Sequence, residues 1–147
     1  MKVGVPREVI PGERRVALVP DTVSRLVDQG LEVLVQSGAG GAAGFDDAAY
    51  EEAGATVTDD GSAVYTSDIV LKVAPPEVGG EAGEVSRMKQ GARFIGFMQP
   101  LTSAELVKGL ADAGVTSFSM ELVPRITVAQ RMDALSSQAT AAGYIAA

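Results

Sequence analysis

One stretch of the chain, Glu121-Leu122-Val123-Pro124-Arg125-Ile126-Thr127-Val128-Ala129-Gln130-Arg131-Met132-Asp133-Ala134-Leu135-Ser136-Ser137-Gln138, gathers an arginine, an amide, a carboxylate and a hydroxyl in a loop that follows a β-rich run. Arg125 and Asp133 are placed to pair, and Gln130 offers both a donor and an acceptor. Ser136, in the first turn of the next helix, can bond to a ligand or to its own backbone. Such a set can grip a planar carboxamide. The same residues admit a plainer reading, in which Arg125 and Asp133 pin the loop and Asp133 caps the helix that follows. Spacing alone leaves the two readings level.

The rest of the inventory narrows the chemistry. The 147 residues include no Cys, no His and no Trp. Disulfides, thiolate nucleophiles, imidazole bases, Ser-His-Asp triads and His- or Cys-ligated metals are excluded together. Chemistry on this chain has to run on carboxylates, amides, hydroxyls, Lys, Arg or a borrowed cofactor.

The elements that must position these groups repeat one device. An amphipathic helix stops at a Gly and a β-rich run follows at once: Asp21 to Gln29, Gly30, then Leu31 to Gln36, and again Asp46 to Ala53, Gly54, then Ala55 to Val57. In a third copy Thr102 and Glu105 form a capping box, Leu106, Val107 and Leu110 mark one face, and Gly114 is the left-handed cap before Val115 to Ser119. Lys2 to Val5 reads as a strand. Asp68 to Val73 and Arg93 to Phe97 are nearly continuous apolar runs, of the kind found when helices cover both faces of a sheet. A polar loop spans Arg7 to Arg15, the Pro- and Gly-rich segment Val73 to Gly80 turns at a strand's C-terminal edge, and a helix is expected near Glu81 to Lys89. The sum is an α/β fold: a doubly wound, flavodoxin-like, mainly parallel sheet of five or so strands with helices on both faces.

With 46% hydrophobic and 21% charged residues, a single domain over 1–147 is the expected organisation. A formal net charge of -7, with no cluster of Lys or Arg, argues against nucleic acid and anionic lipid as ligands. No stretch approaches the roughly 20 apolar residues of a membrane span, and the opening Met1 to Pro6 is interrupted too soon for a signal peptide, so a soluble cytoplasmic chain is expected. From Ala134 to Ala147 the composition is helical, rich in Ala and without a stop signal. A surface of that kind packs closely against another element, which implies a second domain or a partner.

A glycine loop invites a different site. Ser37-Gly38-Ala39-Gly40-Gly41-Ala42-Ala43-Gly44 follows a strand, and Gly38, Gly40 and Ala43 fit the dinucleotide fingerprint with Asp59 and Asp60 about 20 positions on. It follows the second strand rather than the first, however, and the next helix is short, so a pyrophosphate there would lack a long helix dipole. A turn whose glycines take positive φ is the expected role.

Nearly the whole chain resembles a known superfamily. Besides the Glu121 to Gln138 run, Val5-Pro6-Arg7-Glu8, Pro11-Gly12-Glu13-Arg14-Arg15-Val16-Ala17, Gly38-Ala39-Gly40, Asp68 to Val73 and Ala142-Gly143-Tyr144 are similar to the N-terminal domains of alanine dehydrogenases and pyridine nucleotide transhydrogenases. The run itself resembles the loop of the transhydrogenase NAD(H)-binding component whose Arg, Gln, Asp and Ser contact the nicotinamide and ribose. Those positions here are Arg125, Gln130, Asp133 and Ser136. The resemblance implies that Arg125, Gln130 and Asp133 serve hydride transfer between NADH and NADP+, with NADP(H) on a partner subunit and a membrane component coupling transfer to proton translocation. It also implies a homodimer, a location in the cytoplasm with peripheral attachment to the membrane through partner subunits, and a following Rossmann NAD-binding domain, absent from this chain, that holds the rest of the nucleotide.

Alanine dehydrogenase is the alternative. Its relatives place a His after the strand and loop that here read Phe94-Ile95-Gly96-Phe97-Met98-Gln99-Pro100, where this chain has Gln99. Gln is no general acid or base near neutral pH, whereas direct hydride transfer needs only alignment, exclusion of water and electrostatic matching. Arg15 and Lys72 match the dehydrogenase positions that hold the substrate carboxylate and carbonyl and are secondary candidates. Salt bridges to Glu8 or Glu13 are the competing expectation for both. A non-catalytic docking module is a third possibility, against which stands the complete Arg125, Gln130, Asp133, Ser136 set.

Overall fold

In the computed structural model, which describes residues 1–79 and 83–146, the apolar runs pair as strands of one all-parallel sheet. They are β1 (Lys2–Val5), β2 (Glu32–Gln36), β3 (Thr56–Thr58), β4 (Ile69–Leu71), β5 (Arg93–Gly96) and β6 (Thr116–Ser119), in the order β3-β2-β1-β4-β5-β6. Without β3 this is the 2-1-3-4-5 order of flavodoxin-like sheets. The short edge strand β3, paired only to β2, extends it to the 3-2-1-4-5-6 order of doubly wound dinucleotide folds.

Parallel neighbours need right-handed crossovers. Winding outward from β1 to β3 therefore lays α1 (Pro20–Asp28) and α2 (Asp47–Glu52) on one face, and the return to β4 lays α3 (Gly61–Tyr65), α4 (Glu84–Arg87) and α5 (Ala104–Asp112) on the other. Val5, Val23, Val33, Val35 and Tyr50 form the core of the first face, and Val70, Val85, Phe94, Leu106 and Leu110 that of the second. Each fully buried side chain of this kind contributes about 1.5–3 kcal/mol. The last helix, α6 (Ala134–Ala146), stands apart from both layers, with Ser136 to Thr140 exposed.

The helix, glycine, strand device holds in all three places: Gly30, Gly54 and Gly114 take φ of +81°, +93° and +68° after α1, α2 and α5. The Thr102–Glu105 capping box does not form. Ser103 is the N-cap of α5 and its side chain caps nothing. A turn at Gln99 draws the Thr102 and Ser103 amides onto the Gln99 carbonyl at 3.0 and 2.9 Å, and the Thr102 hydroxyl donates to the same oxygen at 3.2 Å. The five-residue α3 has no counterpart in the sequence reading, being too short to show a period. Its cap is Asp60, which accepts from the Ser62 and Ala63 amides at 2.9 and 3.3 Å. Of the helix expected near Glu81 to Lys89, α4 is the described part, and residues 81 and 82 lie outside the described residues.

Candidate functional site

Winding reverses between β1 and β4, and in open α/β sheets the loops beyond that point part into a crevice where ligands bind. Lys72 follows β4 directly, yet its ammonium is not offered to the crevice. Buried to 2% exposure, it donates to both oxygens of Glu84 at 2.7 and 2.8 Å and lies 3.7 Å from Glu8. Glu84 also accepts from the Tyr65 hydroxyl and from the Glu77 amide at 2.9 Å. Glu8 accepts the Val73 and Ala74 amides at 2.6 and 3.2 Å, so both carboxylates latch the Pro75-Pro76 loop. Burial raises the Glu8 carboxyl above its ordinary range against the pull of those amides and Lys72. Burial and the neighbouring Glu84 keep the Tyr65 phenol protonated far above its ordinary value. The expected salt bridge to Glu8 is present, but the principal partner, Glu84, went unnamed because a Glu in an amphipathic segment carries no sign of burial.

Beside this cluster a cleft of about 510 Å³ opens between Arg15, Phe97, Gln99, Pro100, Leu122 and Leu135. Arg15 is salt-bridged to Glu13, donating from Nε and Nη2 at 2.8 and 2.6 Å, and its third group, Nη1, reaches Gln138 Oε1 on α6 at 2.6 Å. The guanidinium also lies 6.0 Å from the Phe97 ring centre. Hydrogen bonding from Arg15 holds the Glu13 carboxyl down at about 2. Both secondary candidates are thus engaged by carboxylates, though Arg15 still lines the cleft.

The primary candidates come together. After β6, short 3₁₀ turns at Met120–Leu122 and Thr127–Met132 lead into α6, and Arg125, Gln130, Asp133 and Ser136 line one recess of about 320 Å³ together with Ile126 and Thr127. Whole-ligand sites occupy ~300–1,000 Å³, so this recess suits a headgroup rather than a dinucleotide. Asp133 accepts the Ser136 amide at 3.0 Å and the Ser136 hydroxyl at 2.6 Å, capping α6. The Ser136 hydroxyl, then its amide and Arg125, hold the Asp133 carboxyl below its ordinary value. Arg125 Nε stands 3.9 Å from Asp133 with its side chain 72% exposed, which leaves its other donors open. The Gln130 side chain is exposed and makes no hydrogen bond among the described residues, while its backbone carbonyl accepts the Asp133 amide at 3.3 Å. Asp133 is the cap that the plainer reading expected, and Arg125 and Gln130 keep free side-chain donors on one wall of the recess.

The glycine loop is occupied by its own domain. Asp47 accepts the Gly38 amide at 2.8 Å and the Ser37 hydroxyl at 2.7 Å, the bonds an anion would need. Gly40 is packed against Tyr50, whose ring a Cβ would meet at 2.5 Å, and Tyr50 donates to the Leu18 carbonyl at 2.8 Å. Gly40→Ala should therefore destabilise the fold by about 1–3 kcal/mol, read by urea denaturation. A variant as stable as the parent would show that the loop has slack for a ligand.

A family model for the N-terminal domain of alanine dehydrogenase/PNT matches residues 4–142, and the chain belongs to that family. It is 44% identical to NAD(P) transhydrogenase subunit alpha of Cereibacter sphaeroides over 98% of its own length and 27% of that protein. Alanine dehydrogenase of Halomonas elongata is more distant, at 37% identity over 90% of this chain and 38% of that one. Among solved structures, transhydrogenase from Sinorhizobium meliloti matches with a TM-score of 0.90 at 41% identity, over 98% of this chain and 42% of that one. The chain spans between about a quarter and two fifths of the length of these relatives.

Proposed function

We propose that this domain is the nicotinamide-contacting part of the NAD(H)-binding component of a proton-translocating NAD(P) transhydrogenase, an oxidoreductase that moves hydride between NADH and NADP+. The observation that carries the reading is the recess in which an unspent Gln130 amide and the open donors of Arg125 face a carboxylate already fixed by Ser136. That donor and acceptor set fits a nicotinamide carboxamide. Bound NADH supplies the hydride. Gln130 hydrogen-bonds the carboxamide, Arg125 and Asp133 set its orientation, and Ser136 holds Asp133 in place. No proton changes hands on these residues, which suits a site without His.

In the full-length protein a Rossmann NAD-binding domain closes the open side of the recess, excludes water and holds the pyrophosphate and adenosine. NADP(H) sits on a partner subunit, membrane subunits couple transfer to proton movement, and the assembly is a homodimer on the cytoplasmic face. No helix among the described residues is long and apolar enough to cross a membrane. A dehydrogenase reading is disfavoured by Lys72, whose ammonium is bound to Glu84 rather than free for a substrate carbonyl.

Titration of this chain alone with NADH, followed by nucleotide fluorescence, should show no saturable binding below about millimolar, where an affinity is worth ~4 kcal/mol. Micromolar binding would overturn the half-site and return the Gly38 loop to consideration.

A further inference from the structure

We propose that Glu121 is a positioning residue for hydride transfer: its carboxylate staples the root of the nicotinamide-contacting loop to the β5–α5 turn and so sets where Arg125, Gln130 and Asp133 stand. The inference rests on the function proposed above and adds a residue outside the recess.

Glu121 lies in the 3₁₀ turn directly after β6. One carboxylate oxygen accepts the amides of Met98, at 2.9 Å, and of Gln99, while the other accepts the Ser119 hydroxyl. Gln99 takes φ of +50°, the one left-handed residue other than glycine among those described. Its carbonyl is taken by Thr102 and Ser103, so Glu121 satisfies the remaining polar group of a strained turn. Burial pushes the Glu121 carboxyl up, but the Ser119 hydroxyl and the backbone amides outweigh it and hold the group below its ordinary range, ionised at neutral pH.

Apolar packing does little to hold the loop. Leu122, Ile126, Val128 and Met132 are 55%, 57%, 88% and 53% exposed, and Ala129 is the buried exception at 4%. What fixes the segment is polar and sits at its two ends, Glu121 at the root and the Arg15–Gln138 bond beyond the Asp133 cap. A loop secured mainly at its ends transmits a loss at either end to everything between. Hydride transfer is sensitive to ångström-scale displacement.

The test compares Glu121→Ala with Glu121→Gln, in which the amide oxygen still accepts from Met98 and Gln99 and the NH₂ turns to Ser119. In backbone amide NMR spectra of this chain, Glu121→Ala should shift residues 125–133 and lower their heteronuclear NOEs while β1–β3 keep theirs, and Glu121→Gln should restore the parent pattern. In the full-length subunit with its partners, Glu121→Ala should cut kcat for NADH-to-NADP+ transfer by about tenfold to a hundredfold at unchanged KM for NADH, with Glu121→Gln close to wild type. Should Glu121→Ala fail to fold, Ser119→Ala, which removes one of the three bonds, should shift the same residues by less. Unmoved resonances at 125–133, or equal losses in the Ala and Gln variants, overturn the proposal. A wild-type assembly that transfers no hydride sinks the function proposed above, and the NMR comparison then still decides the staple.

Discussion

Lys72→Met should lower the stability of this domain by roughly 3–5 kcal/mol at neutral pH, because it leaves two buried carboxylates without their cation. Lys72 contacts Glu84 at 2.7 Å and Glu8 at 3.7 Å, and all three side chains are 5% exposed or less. For a domain of this size the loss corresponds to a fall in Tm of roughly 6–20 °C. Lys72→Met with Glu84→Gln should recover much of it, since the amide oxygen still accepts from the Glu77 amide, the NH₂ donates to the Tyr65 hydroxyl oxygen and one charge is gone. The deficit should also depend on pH with a definite sign. Glu8 is already raised by burial, and without Lys72 it rises further. A carboxyl whose folded pKa is raised contributes stability below its unfolded value, here 4.5, and loses it as pH rises through the folded value. The gap to wild type is therefore smallest near pH 4.5 and widens toward neutrality. Urea denaturation across that range measures it, and a single variant within about 1 kcal/mol of wild type at pH 7 would mean that water reaches the cluster.

Gln130→Leu should leave folding intact and slow hydride transfer in the assembled enzyme by about a hundredfold, while weakening NADH binding by less than about tenfold. The side chain is exposed and bonds to nothing described in the domain, so its removal costs the fold little. Its work on this reading is alignment, and alignment acts on the barrier more than on ground-state binding. Single-turnover kinetics with separately measured NADH affinity distinguish the two. Wild-type turnover in the variant removes Gln130 from the mechanism, and a large loss of affinity at constant kcat makes it a binding residue only.

The two predictions concern residues of opposite legibility. Gln130, Asp133 and Ser136 stand within one turn or two of each other, and the Asp133-to-Ser136 spacing is a helix cap whatever surrounds it. The run could therefore be read in sequence. Lys72 and Glu84 are 12 residues apart in different elements, and Arg15 and Gln138 are 123 apart. Such pairs have no local signal.

What the sequence determined by itself was set by short-range physics: glycines ending three helices at positive φ, apolar runs suited to a sheet covered on both faces, and a cap at the head of the last helix. Local rules failed at Thr102, where the turn at Gln99 took the hydroxyl that a capping box would have used. Tertiary structure alone decided which charges are spent and which are free. Burial made Lys72 a cation for two carboxylates, Asp47 took the amide that would have greeted a phosphate, and Glu121 closed on a turn 22 residues away. Pairing of that kind depends on where the sheet order brings strand ends together, and that order is decided by the packing of the whole core.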